Sequence, residues 1–186
     1  MKKLLTAIIV TGLTACNQPQ SKGETKTMDF GAFTIETPNS WKQIKAKGID
    51  SYVGRIAIDS TDTLDFDLGW YSNTLTEGEP FVVERSMLQY SQLPADTSEM
   101  IIVEKLKGID LDRYKKQNVS WDTIDGRKAK LVYPRRSGTG TTGVYIDSLW
   151  VSGADVDRFN LYGENLKPKN EKKVLQAIRT LKFRSK

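Results

Sequence analysis

Histidine is absent from all 186 residues, and cysteine occurs once, at Cys16. The first absence removes the Ser-His-Asp triad, the Cys-His pair and every histidine-ligated zinc or iron site. The second removes any disulfide within the chain. Acid–base chemistry is left to Asp, Glu, Lys and Tyr. Charge of one sign is also missing: 28 Lys and Arg stand against 23 Asp and Glu, a formal net charge of +5. The two signs are interspersed, so no nucleic-acid footprint forms and nucleic acid is not expected as a partner. The densest basic stretch, residues 167–186, has Glu171 as its single acid. It reads as the wet face of a helix plus a tail, with contact to anionic lipid headgroups as the functional alternative.

Long apolar runs are confined to the start of the chain. Lys2 and Lys3 precede an apolar stretch over residues 4–13, broken by Thr6, Thr11 and Gly12. A membrane-spanning helix needs about 20 apolar residues, so this stretch reads as a signal peptide. Leu13-Thr14-Ala15-Cys16 resembles the lipobox of bacterial lipoproteins. That resemblance implies removal of residues 1–15 and acylation of Cys16, leaving a mature chain of +3 after Lys2 and Lys3 are lost from the +5 total. Two or three acyl chains exceed the single-chain threshold for stable anchoring, at about 0.8 kcal/mol per buried methylene. Residues 16–29 then form a polar, flexible tether. Asn17 stands where enteric bacteria place an inner-membrane retention aspartate, so the expected location is the cell envelope, at the outer membrane.

Residues 30–186 read as one α+β domain. Residues 33–36 alternate as a strand and stop at Pro38-Asn39, with Trp41 folding back on it. Residues 52–58 and 64–71 form a second strand pair, and 100–103 a short strand. Residues 81–93 combine a strand signal with helical spacing of Val83, Met87 and Tyr90. Residues 110–117 read as a short helix with Asp110 as N-cap and Leu111 and Tyr114 inward. Asp125-Gly126 between two β-rich runs marks a hairpin. Two more strands follow at 144–151 and 158–162. Residues 168–180 then read as an amphipathic helix, with Val174, Leu175, Ile178 and Leu181 on one face. An antiparallel sheet with helices packed on it satisfies this order.

Three segments, FTIETPNSW, DTIDGRKAKLVY and VLQAIRTLKF, resemble the PsbP-like group of small domains. The resemblance covers about residues 33–183 and implies an α/β/α sandwich with antiparallel strands and flanking helices. It also implies binding or accessory roles rather than catalysis. Its motifs are apolar patterns plus a glycine, so no site residue carries over.

Four features are candidate sites. Residues 138–143, GTGTTG, match G-x-G-x-x-G, but a strand signal follows where a dinucleotide site needs a helix. Arg135 and Arg136 beside that loop are candidates for an anion-binding rim. Asp62, Asp65 and Asp67 are spaced closely enough for calcium, although Asp65 and Asp67 alternate with Phe66 and Leu68 as one wet strand face would. Trp70 and Tyr71 are candidates for stacking on a sugar or gripping a protein, while Trp121 and Trp150 read as core. The expected function is a lipid-anchored, non-catalytic binding or accessory domain, without cofactor, for an envelope protein or glycan. The alternative is a glycan hydrolase working through carboxylates such as Asp65 or Asp67 with a partner acid.

Overall fold

The computed structural model describes residues 24–76, 79–89 and 100–185. The leader, Cys16 and the first part of the tether lie outside the described residues, as do 90–99 within and beyond the ambiguous segment. Strand begins earlier than expected. Residues assigned to the tether form β1 (Thr25–Asp29), which pairs antiparallel with β2 (Phe33–Pro38) and buries Met28.

Two sheets and one helix enclose the core. The strands after β2 are β3 (Lys42–Lys45), β4 (Tyr52–Ala57), β5 (Thr63–Gly69), β6 (Phe81–Glu84), β7 (Met100–Val103), β8 (Gln117–Ile124), β9 (Arg127–Pro134), β10 (Thr141–Ser152), β11 (Asp155–Glu164) and β12 (Lys182–Phe183). The large sheet is antiparallel in the order β3-β4-β5-β11-β10-β9-β8. The small sheet runs β1-β2-β12, and β6 and β7 form a separate parallel pair. The helix α1 (Pro168–Ile178) packs against β10 and β2.

Alternation decides which face of each strand is dry. In β5, Leu64, Phe66 and Leu68 are buried while Asp65 and Asp67 point to the other face. Val144, Ile146, Phe159 and Leu161 continue that inner face across β10 and β11. Phe33 is fully buried at the centre, stacked on Phe30 at 4.8 Å and edge-on to Phe66 and Phe159 at 5.0 and 4.9 Å. Such offset and T-shaped pairs add to what burial alone contributes. The β8–β9 turn has both Asp125 and Gly126 at positive φ, +50° and +76°, matching the mirror-image turn that suits strand twist.

The expectation of a sheet with flanking helical layers is corrected. Strand accounts for 51% of the described residues and helix for 13%, with α1 the single α-helix among them. The large sheet's inner face is covered by the β1-β2-β12 sheet, through Phe33 and Ile35, and by α1, through Val174, Ala177 and Ile178. The short helix expected at 110–117 is one 3-10 turn, Leu111–Tyr114, capped by the Asp110 carboxylate accepting from the Asp112 amide. It buries no residue, and Leu111 is exposed rather than inward. Val83 and Met87 do not share a helical face either: β6 ends at Glu84 and a 3-10 turn, Arg85–Gln89, follows. Trp121, expected in the core, is 59% exposed on the outer face of β8. That strand is the sheet's edge, where no layer among the described residues reaches its outer side.

Candidate functional site

The outer face of the large sheet carries a concave region where β8 and β10 begin and β11 ends. A cleft of about 560 Å³ opens there, walled by Asn73, Leu75, Gln117, Thr141, Tyr162 and Glu164. The glycine-rich loop adds Thr139 and Gly140 to its rim, with Asn165 and Lys116.

Sheet register builds the polar floor. Thr141 lies opposite Glu164 across the β10–β11 pair, and the Thr141 hydroxyl donates to Glu164 Oε1 at 2.7 Å. A carboxylate only accepts, so the hydroxyl proton is committed to Glu164 and Thr141 Oγ1 remains as an acceptor. Gln117 Nε2 supplies the donor at 3.2 Å. This chain fixes the amide orientation by its chemistry and leaves Gln117 Oε1 as the outstanding acceptor. Gln117 is 4% exposed, and that Oε1 has no partner among the described residues. A buried amide oxygen without a partner loses about 1–3 kcal/mol of solvation. Below it, Glu79 clamps the start of β8, accepting from the amides of Lys116 and Gln117 at 2.8 and 3.0 Å.

The opposite wall is apolar. Leu75, Val132 and Tyr145 form a second buried cluster on the outer face, with Tyr162 packed against it. Leu75 is held at φ +65°, a left-handed conformation unusual for leucine. Neighbouring hydrogen bonds hold the segment: Asn160 Nδ2 donates to the Asn73 carbonyl at 3.1 Å, and Asn73 Oδ1 accepts from the Leu75 amide at 3.3 Å. Burial first, then the Asp65 carboxylate, raises the Tyr162 phenol above its ordinary range. Burial and the Asp147 carboxylate push Tyr145 up to about 12. Both hydroxyls therefore stay protonated at physiological pH.

The glycine-rich loop turns its amides on the protein's own side chains. Glu171, buried on α1, accepts from Gly138 N at 2.6 Å and Ser137 Oγ at 2.5 Å. Gly140 N donates to Asn165 Oδ1 at 2.7 Å. Residues 141–152 continue as β10, so the loop leads into a strand. An external phosphate would find these two amides occupied.

Apart from the glycine-rich loop, the residues singled out from sequence do not line the cleft. Trp70 and Tyr71 sit in the turn after β5, both exposed, with the Arg158 guanidinium 5.6 Å from the Trp70 ring centroid. Arg135 is exposed and donates to the Asp112 carbonyl at 2.6 Å; Arg136 is exposed beside it. The three aspartates divide between two tasks. Asp62 is buried under α1, accepting from the Lys167 amide at 2.8 Å and Asn170 Nδ2 at 2.7 Å. Asp65 faces outward on β5, paired with Arg55 at 2.6 Å, and Asp67 lies two residues on with Oδ1 buried and without a partner among the described residues. Among the described residues, no group of three or more Cys, Asp or Glu is placed to hold a metal ion.

No protein-family model and no curated protein matches this chain. The site is therefore defined by its own geometry. Sequence reasoning reached Thr139, Gly140 and Thr141 through the glycine motif and missed the rest. Gln117, Thr141 and Glu164 are brought together by pairing across strands, and no local spacing in the sequence signals that contact.

Proposed function

We propose that this chain is a lipid-anchored protein of the bacterial cell envelope, held through Cys16 at the outer membrane, whose folded domain binds an envelope protein or glycan without catalysing a reaction. The cleft supports the binding role most directly. It sets hydrogen-bonding side chains around an apolar wall and leaves a buried acceptor, Gln117 Oε1, for a partner to satisfy. Binding sites have this character: largely apolar walls with a few placed polar groups. A glycosidase needs two carboxylates about 5–10 Å apart across a cleft. Of the residues lining this one, Glu164 is the single acid, and Asp65 is engaged with Arg55.

Crosslinking in intact cells, followed by mass spectrometry, tests the partner. Recovery of one envelope protein or glycan, lost when the cleft is blocked by Thr139→Trp, is the expected result. Turnover of a defined glycan that disappears in Glu164→Gln would overturn the non-catalytic reading. For the anchor, Cys16→Ser should move the protein from the membrane fraction to the soluble fraction. Incorporation of labelled palmitate should vanish with it, and equal membrane association of both forms would refute the anchor.

A further inference from the structure

We infer that the cleft between β8, β10 and the end of β11 is a subsite for a neutral, hydroxyl-rich ligand, a sugar unit of a glycan. The inference deepens the binding role proposed above and rests on it.

The hydrogen-bonding inventory selects the class. Gln117 Oε1 needs a donor, and the Glu164 carboxylate beside it also accepts. A ligand that satisfies both presents O–H or N–H groups. An anion brings no donor for Gln117 Oε1, and the Gly138 and Gly140 amides that could hold it are bonded to Glu171 and Asn165; of the two charged residues lining the cleft, Lys116 offsets Glu164. A purely apolar ligand would leave Gln117 Oε1 stranded, at the full cost of its lost hydration. The wall of Leu75 and the half-buried Tyr162 ring then offers the surface on which the C–H face of a sugar packs. At about 560 Å³ the cleft has room for one or two sugar rings.

The left-handed Leu75 belongs to the same design. Leu75 is buried, and Asn73 and Asn160 pin the backbone that places it. The apolar wall is therefore fixed before a ligand arrives, which reduces the ordering cost of binding.

The test uses the purified full chain in a sugar-free detergent. Calorimetry and amide NMR would titrate glucose, galactose, mannose, N-acetylglucosamine and their disaccharides, with inorganic phosphate as the anionic probe. At least one neutral sugar should bind saturably and shift the Gln117, Thr141 and Gly140 amides. Gln117→Leu should weaken it at least tenfold, while Trp70→Ala, outside the cleft, should change it less than twofold. Should Gln117→Leu unfold, Glu164→Gln tests the same floor and should also weaken binding about tenfold. Failure of every neutral sugar, preference for phosphate, or binding indifferent to both floor variants would overturn the sugar subsite. If sugars fail while crosslinking still captures one envelope protein at the cleft, the binding role stands and this assignment alone falls.

Discussion

Phe33 shows how one residue organises the interior. It belongs to the small sheet, yet its ring meets Phe66 and Phe159 of the large sheet and Phe183 of β12. Truncating such a residue removes both transfer energy and packing that neighbours cannot restore. Phe33→Ala should destabilise the domain by about 3–5 kcal/mol. Urea unfolding would show this as a lower midpoint with little change in slope. The tryptophans give a sharper contrast. Trp150 is half-buried against the core, and its Nε1 donates to the Arg184 carbonyl at 3.1 Å. Trp121 is exposed, with the Lys128 ammonium 4.3 Å from its ring centroid. Trp150→Ala should cost about 2 kcal/mol, from lost apolar burial and the hydrogen bond. Trp121→Ala should cost about 0.5–1 kcal/mol, the worth of an exposed cation–π contact. Thermal unfolding of the two variants separates these values, and equal losses would refute the assigned faces.

At the scale of elements, α1 depends on side chains from a distant turn. Lys167 stands at the N-cap, where its side chain makes no capping bond to the helix amides, and Pro168 occupies the first turn, where its missing amide costs nothing. Asp59 and Asp62, more than a hundred residues earlier, complete the helix start through Lys167 and Asn170. Their carboxylates also suit the positive end of the helix dipole. Hydrogen bonds from the Asp62 and Thr61 amides, then from Asn170 and Lys167, hold the Asp59 carboxyl far below its usual range. Burial pushes Asp62 up, but bonds from Asn170, the Lys167 amide and Thr61 reverse this, so it too titrates low. Both folded values lie below the unfolded value of about 4. Their stabilisation is therefore complete above about pH 4 and lost as pH falls through the depressed folded values. The melting temperature should drop on acidification below about pH 4. An Asp59→Asn/Asp62→Asn variant should melt lower at pH 7 and show a shallower acid decline. A parallel decline in both proteins would disprove the linkage.

Sequence patterning made several of these elements visible and misjudged others for definable reasons. The Asp125-Gly126 hairpin and the α1 stripe were readable because turn chemistry and helical spacing are local. On β8, by contrast, Val119 and Trp121 lie on the exposed side, while Ser120 and Asp122 lie half-buried on the side of α1. Alternation there names two faces but not which one is covered, and an edge strand lacks the second neighbour that would settle it. Asp62, Asp65 and Asp67 look like one cluster along the chain. In the fold Asp62 turns under α1 while the other two follow the pleat of β5. The cleft was the least readable feature, because Gln117, Thr141 and Glu164 meet only through β8, β10 and β11.

At the scale of the whole molecule, both ends of the described chain join one small sheet. Strand β2 pairs with β1 on one side and with β12 on the other, Phe33 lying opposite Phe183. The C-terminal strand also brings Lys182 to Asp125 and Arg184 to Asp29, at 3.3 and 2.5 Å. Removing residues 181–186 should therefore weaken the lid over the core and not merely shorten a tail. The truncated protein should lose sharp cooperative unfolding and its Phe33 region should lose hydrogen-exchange protection. Unchanged melting would show β12 to be dispensable.

The amino-acid sequence alone determined the absence of histidine and of any disulfide within the chain, the strand-rich order and the closing helix, because composition, motifs and short-range periodicity are properties of neighbouring residues. Tertiary structure decided that a second sheet and a single helix, rather than flanking helical layers, cover the core, that Trp121 faces solvent, and that Gln117, Thr141 and Glu164 share a cleft. Those outcomes depend on which strands pair and what lies across from them, and pairing between segments tens of residues apart is set by the whole chain closing on a common core.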